Sequence, residues 1–210
     1  MTMDSVSLVI PGRDCAATIR ECLDAVVPML ERTPLREVIF VDDGSTDETA
    51  EIVTEFPVTY IKGEGRGPGS ARNIGWRRAR CPLVWFVDSD CVAEPEALTL
   101  LLPHLSDPKV AAVSGSYGNM ASHSLLACLI HEEIVQRHLA MPERVNFLAT
   151  FNVIYRKAVL EEVGGFDERF LKGQDAELSW RVLEAGFDLG FEVHSRVKHF
   201  HPISWRAYLR

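Results

Sequence analysis

Cysteine is sparse in this chain of 210 residues and shows no pairing pattern: Cys15, Cys22, Cys81, Cys91 and Cys128 include no CxxC. An odd count without metal-ligand spacing speaks against a disulfide framework and a zinc site, and for reduced thiols in a reducing compartment. No stretch approaches the roughly 18 consecutive apolar residues that a bilayer-spanning helix needs. The opening MTMDSVSLVIPGRD lacks the basic start and long apolar run of a secretory signal. Positive charge is in deficit, 22 Lys and Arg against 30 Asp and Glu, for a formal net charge of −8. General nucleic-acid binders are normally basic, so nucleic acid is not an expected partner. The phosphate loop Gx(4)GK[ST], the GxSxG elbow and HExxH are also missing.

What is there is an ordinary globular composition, 47% apolar, 25% charged and 9% aromatic, enough for a sizeable core in one or at most two domains. Short apolar runs at residues 7–10, 38–41, 58–61, 83–87 and 110–114 read as strands buried on both faces. Amphipathic stretches at 16–30, 47–56, 70–80 and 95–105 read as the helices between them, and the run Ser45, Thr46, Asp47, Glu48 as a cap for the second. This alternation predicts the α/β class, with a mostly parallel sheet and helices on both faces. Beyond residue 115 the rhythm changes. A long helix is expected over 122–141, with Leu125, Leu126, Leu129, Ile130 and Val135 along one stripe. A strand is expected at 151–156, a short helix at 157–163 ended by Gly164-Gly165, and a last helix at 177–185. With no repeat or linker, residues 1–210 read as a single domain whose second half builds onto the sheet of the first.

Ligands of open α/β sheets bind beyond the carboxyl ends of the strands, and three expected strand ends are polar: Pro11-Gly12-Arg13-Asp14, Asp42-Asp43-Gly44-Ser45 and Asp88-Ser89-Asp90. Five carboxylates gathered at one edge repel each other unless a cation or hydrogen-bonding ligand joins them. In an extended chain residues two apart point to the same side. Asp88 and Asp90 therefore suit a hard cation, Mg²⁺ or Mn²⁺, that keeps positions open for phosphate oxygens; the plainer alternative is a turn or helix cap. Residues 62–80 carry six Lys and Arg against one Glu. Arg66 and Arg72 are candidates for a diphosphate near a helix N-terminus at Ser70, while Arg77, Arg78 and Arg80 read as a solvated face. Asp175, at a helix start, is either an N-cap or a base for a hydroxyl. His199 and His201, two apart with His194 nearby, are candidate metal or phosphate contacts.

Taken in order, SLVIPGRD, VIFVDDGSTDET, GPGSARNIG, VWFVDSDC and GGFDERFLKGQDAELSWRVLEAG resemble the family 2 glycosyltransferases, which have the GT-A fold; the likeness runs from about residue 6 to residue 201. The resemblance implies a metal-dependent, inverting transfer of sugar from a nucleotide-diphospho-sugar, UDP-linked first, to an acceptor hydroxyl. The product would be a polysaccharide, glycolipid or other glycoconjugate, and the acceptor a sugar, a lipid-linked sugar or another hydroxyl compound. By position, Asp43 implies the base-reading carboxylate with Asp42 beside it, and Pro11 and Arg13 flank the base. Arg13-Asp14 stands where many relatives have an aromatic residue or Tyr-Asn. Asp88 implies a ribose contact, Asp90 a ligand of the divalent cation (Mn²⁺ or Mg²⁺), Asp175 the catalytic base and His199 a neighbour of metal and diphosphate. Relatives usually have Glu-Asp where this chain has Gln174-Asp175. The first half, to about residue 115, would bind the nucleotide-sugar, and the rest the acceptor, against residues 147–152 and 164–175.

Two other readings stay open from the residues. A sugar-nucleotide nucleotidyltransferase normally shows a Gly-rich phosphate loop directly after the first strand, and PGRDCAAT has one glycine. A non-catalytic nucleotide-sugar-binding module has no need of Asp88, Asp90 and Asp175 together. The end HSRVKHFHPISWRAYLR holds four Lys and Arg and no acid, which fits either a peripheral contact with an anionic membrane or a fraying helix. The expected location is the cytoplasm, with the inner membrane face as the surface for such a contact.

Overall fold

The computed structural model describes residues 5–120 and 124–199. Strands β1 (Val6–Gly12), β2 (Leu35–Asp42), β3 (Thr59–Lys62) and β4 (Leu83–Val87) form a parallel block in the order β3-β2-β1-β4. Their neighbours alternate between two cores: Leu8, Ile10 and Trp85 face one side, Val9 and Phe86 the other. This is the period of two that burial on both faces demands.

The crossovers hold α1 (Ile19–Val26), α2 (Met29–Arg32), α3 (Thr49–Thr54) and α4 (Pro68–Arg78). One helix was expected over 16–30, but Pro28 divides it into α1 and α2, because proline has no N–H for the fourth residue back. Helix α4 starts two residues earlier than expected, with Gly67 (φ +99°) as N-cap and Pro68 in the first turn, where a missing N–H costs nothing. Gly75 lets α4 lie directly on β1: a Cβ there would stand 2.2 Å from Val9 Cγ1.

The second half extends the sheet through β5 (Cys91–Ala93), β6 (Val110–Asn119), β7 (Arg144–Val145), β8 (Asn152–Arg156) and β9 (Asp188–His199). The full order is β3-β2-β1-β4-β8-β6-β9-β5, with β7 also on β9. Strands β6 and β9 run with the parallel block, and β5, β7 and β8 oppose it, so among the described residues six of nine strands share one direction while the eight pairings divide into four parallel and four antiparallel. Helices α5 (Ala97–Leu101), α6 (Leu125–Leu139), α7 (Lys157–Val163) and α8 (Gln174–Glu184) cover it. The leucine stripe expected for α6 is not its buried face: Ala127 is buried there, while Leu125 and Leu129 are exposed.

One irregularity aims β9 at the functional edge. The β6–β9 register jumps from Gly115↔Glu192 to Ser116↔Arg196, leaving residues 193–195 as a bulge. A buried chain of hydrogen bonds holds it. Trp85 Nε1 donates to Asn152 Oδ1 (2.9 Å), Asn152 Nδ2 to Ser195 O and Oγ (3.2 and 3.1 Å), and Ser195 Oγ to Ala97 O (2.8 Å). Gly115 makes room for it. Past the bulge, β9 ends with His199 opposite Cys91 of β5, at the edge where β1, β2 and β4 also end.

Candidate active site

A cleft of about 750 Å³ opens at that edge, lined by Pro11, Arg13, Asp43, Arg72, Asp88, Asp90, Thr150, Lys172, Gln174 and Asp175 among others. The loop after β1 is tied down by its neighbour. Asp14, at φ +48°, accepts from Thr46 N (2.7 Å) and its own N–H donates to Ser45 Oγ (2.9 Å); Cys15 N donates to Thr49 Oγ1 and Ala16 N to Asp47 Oδ2. Of the expected capping run, Ser45 and Thr46 turn to this loop, while Asp47 serves both: its Oδ2 holds Ala16 N and its Oδ1 accepts from Thr49 N (3.0 Å), the first residue of α3. The loop presents Pro11 and Arg13 to the cleft.

Asp42 and Asp43 part company. Asp42 does not line the cleft: its Oδ1 accepts from Gly44 N and Ser45 N (3.1 and 2.7 Å) and its Oδ2 from the Tyr60 hydroxyl (2.6 Å). Burial pushes its carboxyl up, but the Tyr60 and backbone donors outweigh this and hold it below the usual range. Burial and the Asp42 carboxylate push the Tyr60 hydroxyl up to about 12. Asp42 thus shapes the turn from which Asp43 reaches the cleft, a correction to its expected place beside the ligand. Asp43 gathers the Gly-rich segment, its oxygens accepting from Arg66 N (3.1 Å) and Gly67 N (2.7 Å). The Arg66 side chain turns instead to Glu64 and Glu168 (2.6 and 3.2 Å) and is not part of the cleft wall.

Asp88 and Asp90 do not share a side. The chain is no longer extended after β4: Cys91 N donates to Asp88 O (3.0 Å), closing a turn over 88–91. The turn sends Asp88 to α4, where Arg72 Nη2 donates to its Oδ1 at 2.6 Å, and Asp90 to β9, where its Oδ2 lies 3.2 Å from His199 Nε2. Asp88 and Asp90 thus line one cleft with different partners, and no three His, Cys, Asp or Glu side chains form a ready-made metal-holding group among the described residues. Arg72 is 5% exposed at its side chain, and its Nε and Nη1 have no partner. Burial raises the Asp90 carboxyl, yet the His199 hydrogen bond and charge outweigh it and leave it below the usual range. His201 lies outside the described residues.

Asp175 sits in the first turn of α8, after Gly173 at φ +75°. Its Oδ1 accepts the N–H of the next residue, Ala176 (3.0 Å), and among the described residues no other segment donates to it. It is not the N-cap, which is Gly173.

The family profile described as Glycosyl transferase family 2 matches residues 7–164. The chain belongs to glycosyl transferase family 2. It is 30% identical over 97% of its length to the pre-mycofactocin glycosyltransferase of Mycobacterium tuberculosis (strain CDC 1551 / Oshkosh), of which it covers 44%; the chain spans about half the length of such relatives. Its fold matches the mannosyltransferase PcManGT from Pyrobaculum calidifontis, solved with GDP-Man and Mn²⁺, with a TM-score of 0.76 at 20% identity, covering 99% of this chain and 60% of that one. GalNAc-T7, solved with UDP, GalNAc and Mn²⁺, matches at the same TM-score and 17% identity over 97% of this chain and 45% of its own. The fold is GT-A.

Within this family 2 domain, sequence reasoning missed the residues that position the loop before α8. Asn73 of α4 donates through Nδ2 to Phe166 O and Glu168 Oε1 (2.8 and 2.9 Å) and accepts at Oδ1 from Phe166 N and Trp76 Nε1. Arg181 of α8 donates to Gly165 O (2.7 Å). Asn73 stands inside the motif GPGSARNIG, but nothing local signals a partner 93 positions away. Thr150 and Lys172 of the cleft had no local signal either.

Proposed function

We propose that this domain transfers a sugar from a nucleotide-diphospho-sugar to an acceptor hydroxyl, with a divalent cation at the diphosphate and inversion at the anomeric carbon. The observation that carries this reading is the division among the cleft carboxylates. Asp43, Asp88 and Asp90 each face a donor from another segment, and Asp175 faces none.

Asp90 and His199 offer one carboxylate and one imidazole, a donor set that fits Mn²⁺ or Mg²⁺ completed by phosphate oxygens and water. When bound, such an ion neutralises charge growing on the leaving diphosphate. Arg72, with two unpartnered N–H groups in a buried side chain, donates to diphosphate oxygens, and its hold on Asp88 orients that carboxylate toward the ribose. Asp43 reads the base. Its two oxygens already accept backbone N–H groups, so it suits the single imide N–H of uracil better than the paired donors of guanine. Asp175 takes the proton of the acceptor hydroxyl as its oxygen bonds to the anomeric carbon and the bond to the diphosphate breaks on the opposite face. The residues to about 115 hold the donor, and those beyond it the acceptor, a sugar, lipid-linked sugar or other hydroxyl compound. Relatives named as glycosyltransferases, and fold neighbours solved with GDP-Man or UDP together with Mn²⁺, support this reading.

Thermal unfolding with UDP, GDP and ADP, with and without Mn²⁺, tests it. At a hundredfold excess over Kd, binding adds about 2.7 kcal/mol, or roughly 5–10 °C in Tm for a chain of this size. UDP with Mn²⁺ is expected to give that rise and chelation to remove most of it. A rise with GDP alone overturns the uracil assignment; no rise with any diphosphate overturns the function.

A further inference from the structure

Tyr117, near the end of β6, stands in the wall between the cleft and a second, smaller cavity. Its ring stacks on Phe151 with centroids 3.6 Å apart and meets His199 at 5.4 Å. Burial is the first cause that pushes its hydroxyl up, and the charges of Asp88, Asp90 and Asp175 add to it. Residues 149–151 alternate across the same wall: Thr150 lines the cleft, Ala149 and Phe151 the other cavity.

That cavity holds about 270 Å³, with Tyr117, Met141, Phe147, Phe151 and Phe191 as its apolar walls. Among the described residues no carboxylate lines it; Arg137 stands among its lining residues, and Ser116 Oγ lies 2.7 Å from His138 Nδ1. Burial, then Arg137, holds the His138 imidazole below its ordinary range, which keeps that polar pair neutral at pH 7. A closed apolar cavity of about 150 Å³ takes up benzene, so this one has room for a single ring with a short substituent. Its aromatic walls favour stacked and edge-on contact with such a ring.

We propose that this cavity is an aglycone subsite, taking one neutral aromatic ring of a hydroxyl-bearing acceptor whose hydroxyl reaches over the 149–151 wall toward Asp175. The inference rests on the transferase reading above and names the acceptor class for it.

The test is calorimetric binding of phenyl β-D-glucopyranoside and methyl β-D-glucopyranoside, with UDP and Mn²⁺ titrated into the same samples. The phenyl glycoside is expected to bind at least about tenfold tighter to the native chain, as burying one ring implies. Ala149→Phe, which fills the cavity, and Phe147→Ala, which removes an exposed part of its rim, are both expected to erase most of that preference while leaving UDP binding intact. UDP binding without a phenyl preference, or a preference that survives Ala149→Phe and Phe147→Ala, overturns the subsite and leaves the transferase reading standing. A cavity-dependent phenyl preference without any UDP binding overturns the transferase reading and, with it, the acceptor assignment.

Discussion

Replacing Gly115 with alanine tests whether the bulge in β9 brings His199 to Asp90 of the cleft. The new Cβ would lie 2.2 Å from Asn152 Nδ2, 2.3 Å from Ser195 O and 2.6 Å from Ser195 Oγ. None of these can yield cheaply, because one is backbone and the other two belong to the buried chain from Trp85 to Ala97. Overpacking of this kind costs about 1–3 kcal/mol, and leaving the Asn152 amide unpaired in the core adds about 1–3 kcal/mol. The total, on the order of 2–6 kcal/mol, corresponds to a fall in Tm of roughly 5–20 °C. Gly190→Ala in the same strand pair is the control: its Cβ would come no closer than 3.3 Å, to Val113 Cγ2, which need give by only a few tenths of an ångström, for a cost of about 1 kcal/mol. Thermal unfolding by circular dichroism measures both, and Mn²⁺-dependent UDP binding should fall further in Gly115→Ala, because residues 196–199 follow the bulge. Tm values for the two variants within about 2 °C of each other would refute the argument.

Asp175→Asn is expected to lower transfer by about a hundredfold or more while UDP and Mn²⁺ still bind; near-native turnover removes Asp175 as the base. His199→Ala should weaken UDP binding about tenfold or more with Mn²⁺ and little without it, and equal losses under both conditions would mean that His199 serves only packing. The Tyr60 hydroxyl is raised from 10 to about 12 in the folded chain, so its contribution to stability is full below pH 10 and is lost as pH climbs through about 12. Urea midpoints of Tyr60→Phe should accordingly lack the native decline over that window, and an unchanged decline contradicts the Asp42–Tyr60 bond as its source. Gln174→Glu places a charge where a buried amide oxygen has no partner, so its Tm deficit should be larger at pH 7 than at pH 4; equal deficits sink that account.

The parallel half of the fold was legible because each of its signals is local. Apolar runs such as 83–87 are short and bounded, Pro68 and the glycines around it mark a helix start, and Gly164 closes α7 in the left-handed region. Candidate site residues Pro11, Arg13, Asp43, Arg72, Asp88, Asp90 and Asp175 do come to one cleft, since strand ends in such sheets meet there by construction. What failed locally was orientation. The same-side argument for Asp88 and Asp90 assumed an extended chain, and a single backbone bond from Cys91 N to Asp88 O turns them apart. Asp42 and Asp43 look alike in sequence, and only the distant Tyr60 and Gly67 separate a turn-holding carboxylate from a cleft one. Strand β9 mixes charged and apolar residues around its bulge, so no clean period announces it, and its pairing with β6 is decided by a buried amide in β8.

The departure of Gln174 from the usual acidic residue follows from the same accounting of charge. Its Oε1 is buried, unpartnered, and close enough to α4 that a Cβ on Gly69 would stand 2.4 Å from it. A carboxylate oxygen in that spot would be an uncompensated buried charge, which costs more than an unpaired amide. It would also add like charge beside Asp175. Arg72 is committed to Asp88 and the His199 imidazole to Asp90, while Arg13 and Lys172 also line the cleft. A neutral residue at 174 therefore puts no second carboxylate beside Asp175, which takes no hydrogen bond from another segment among the described residues.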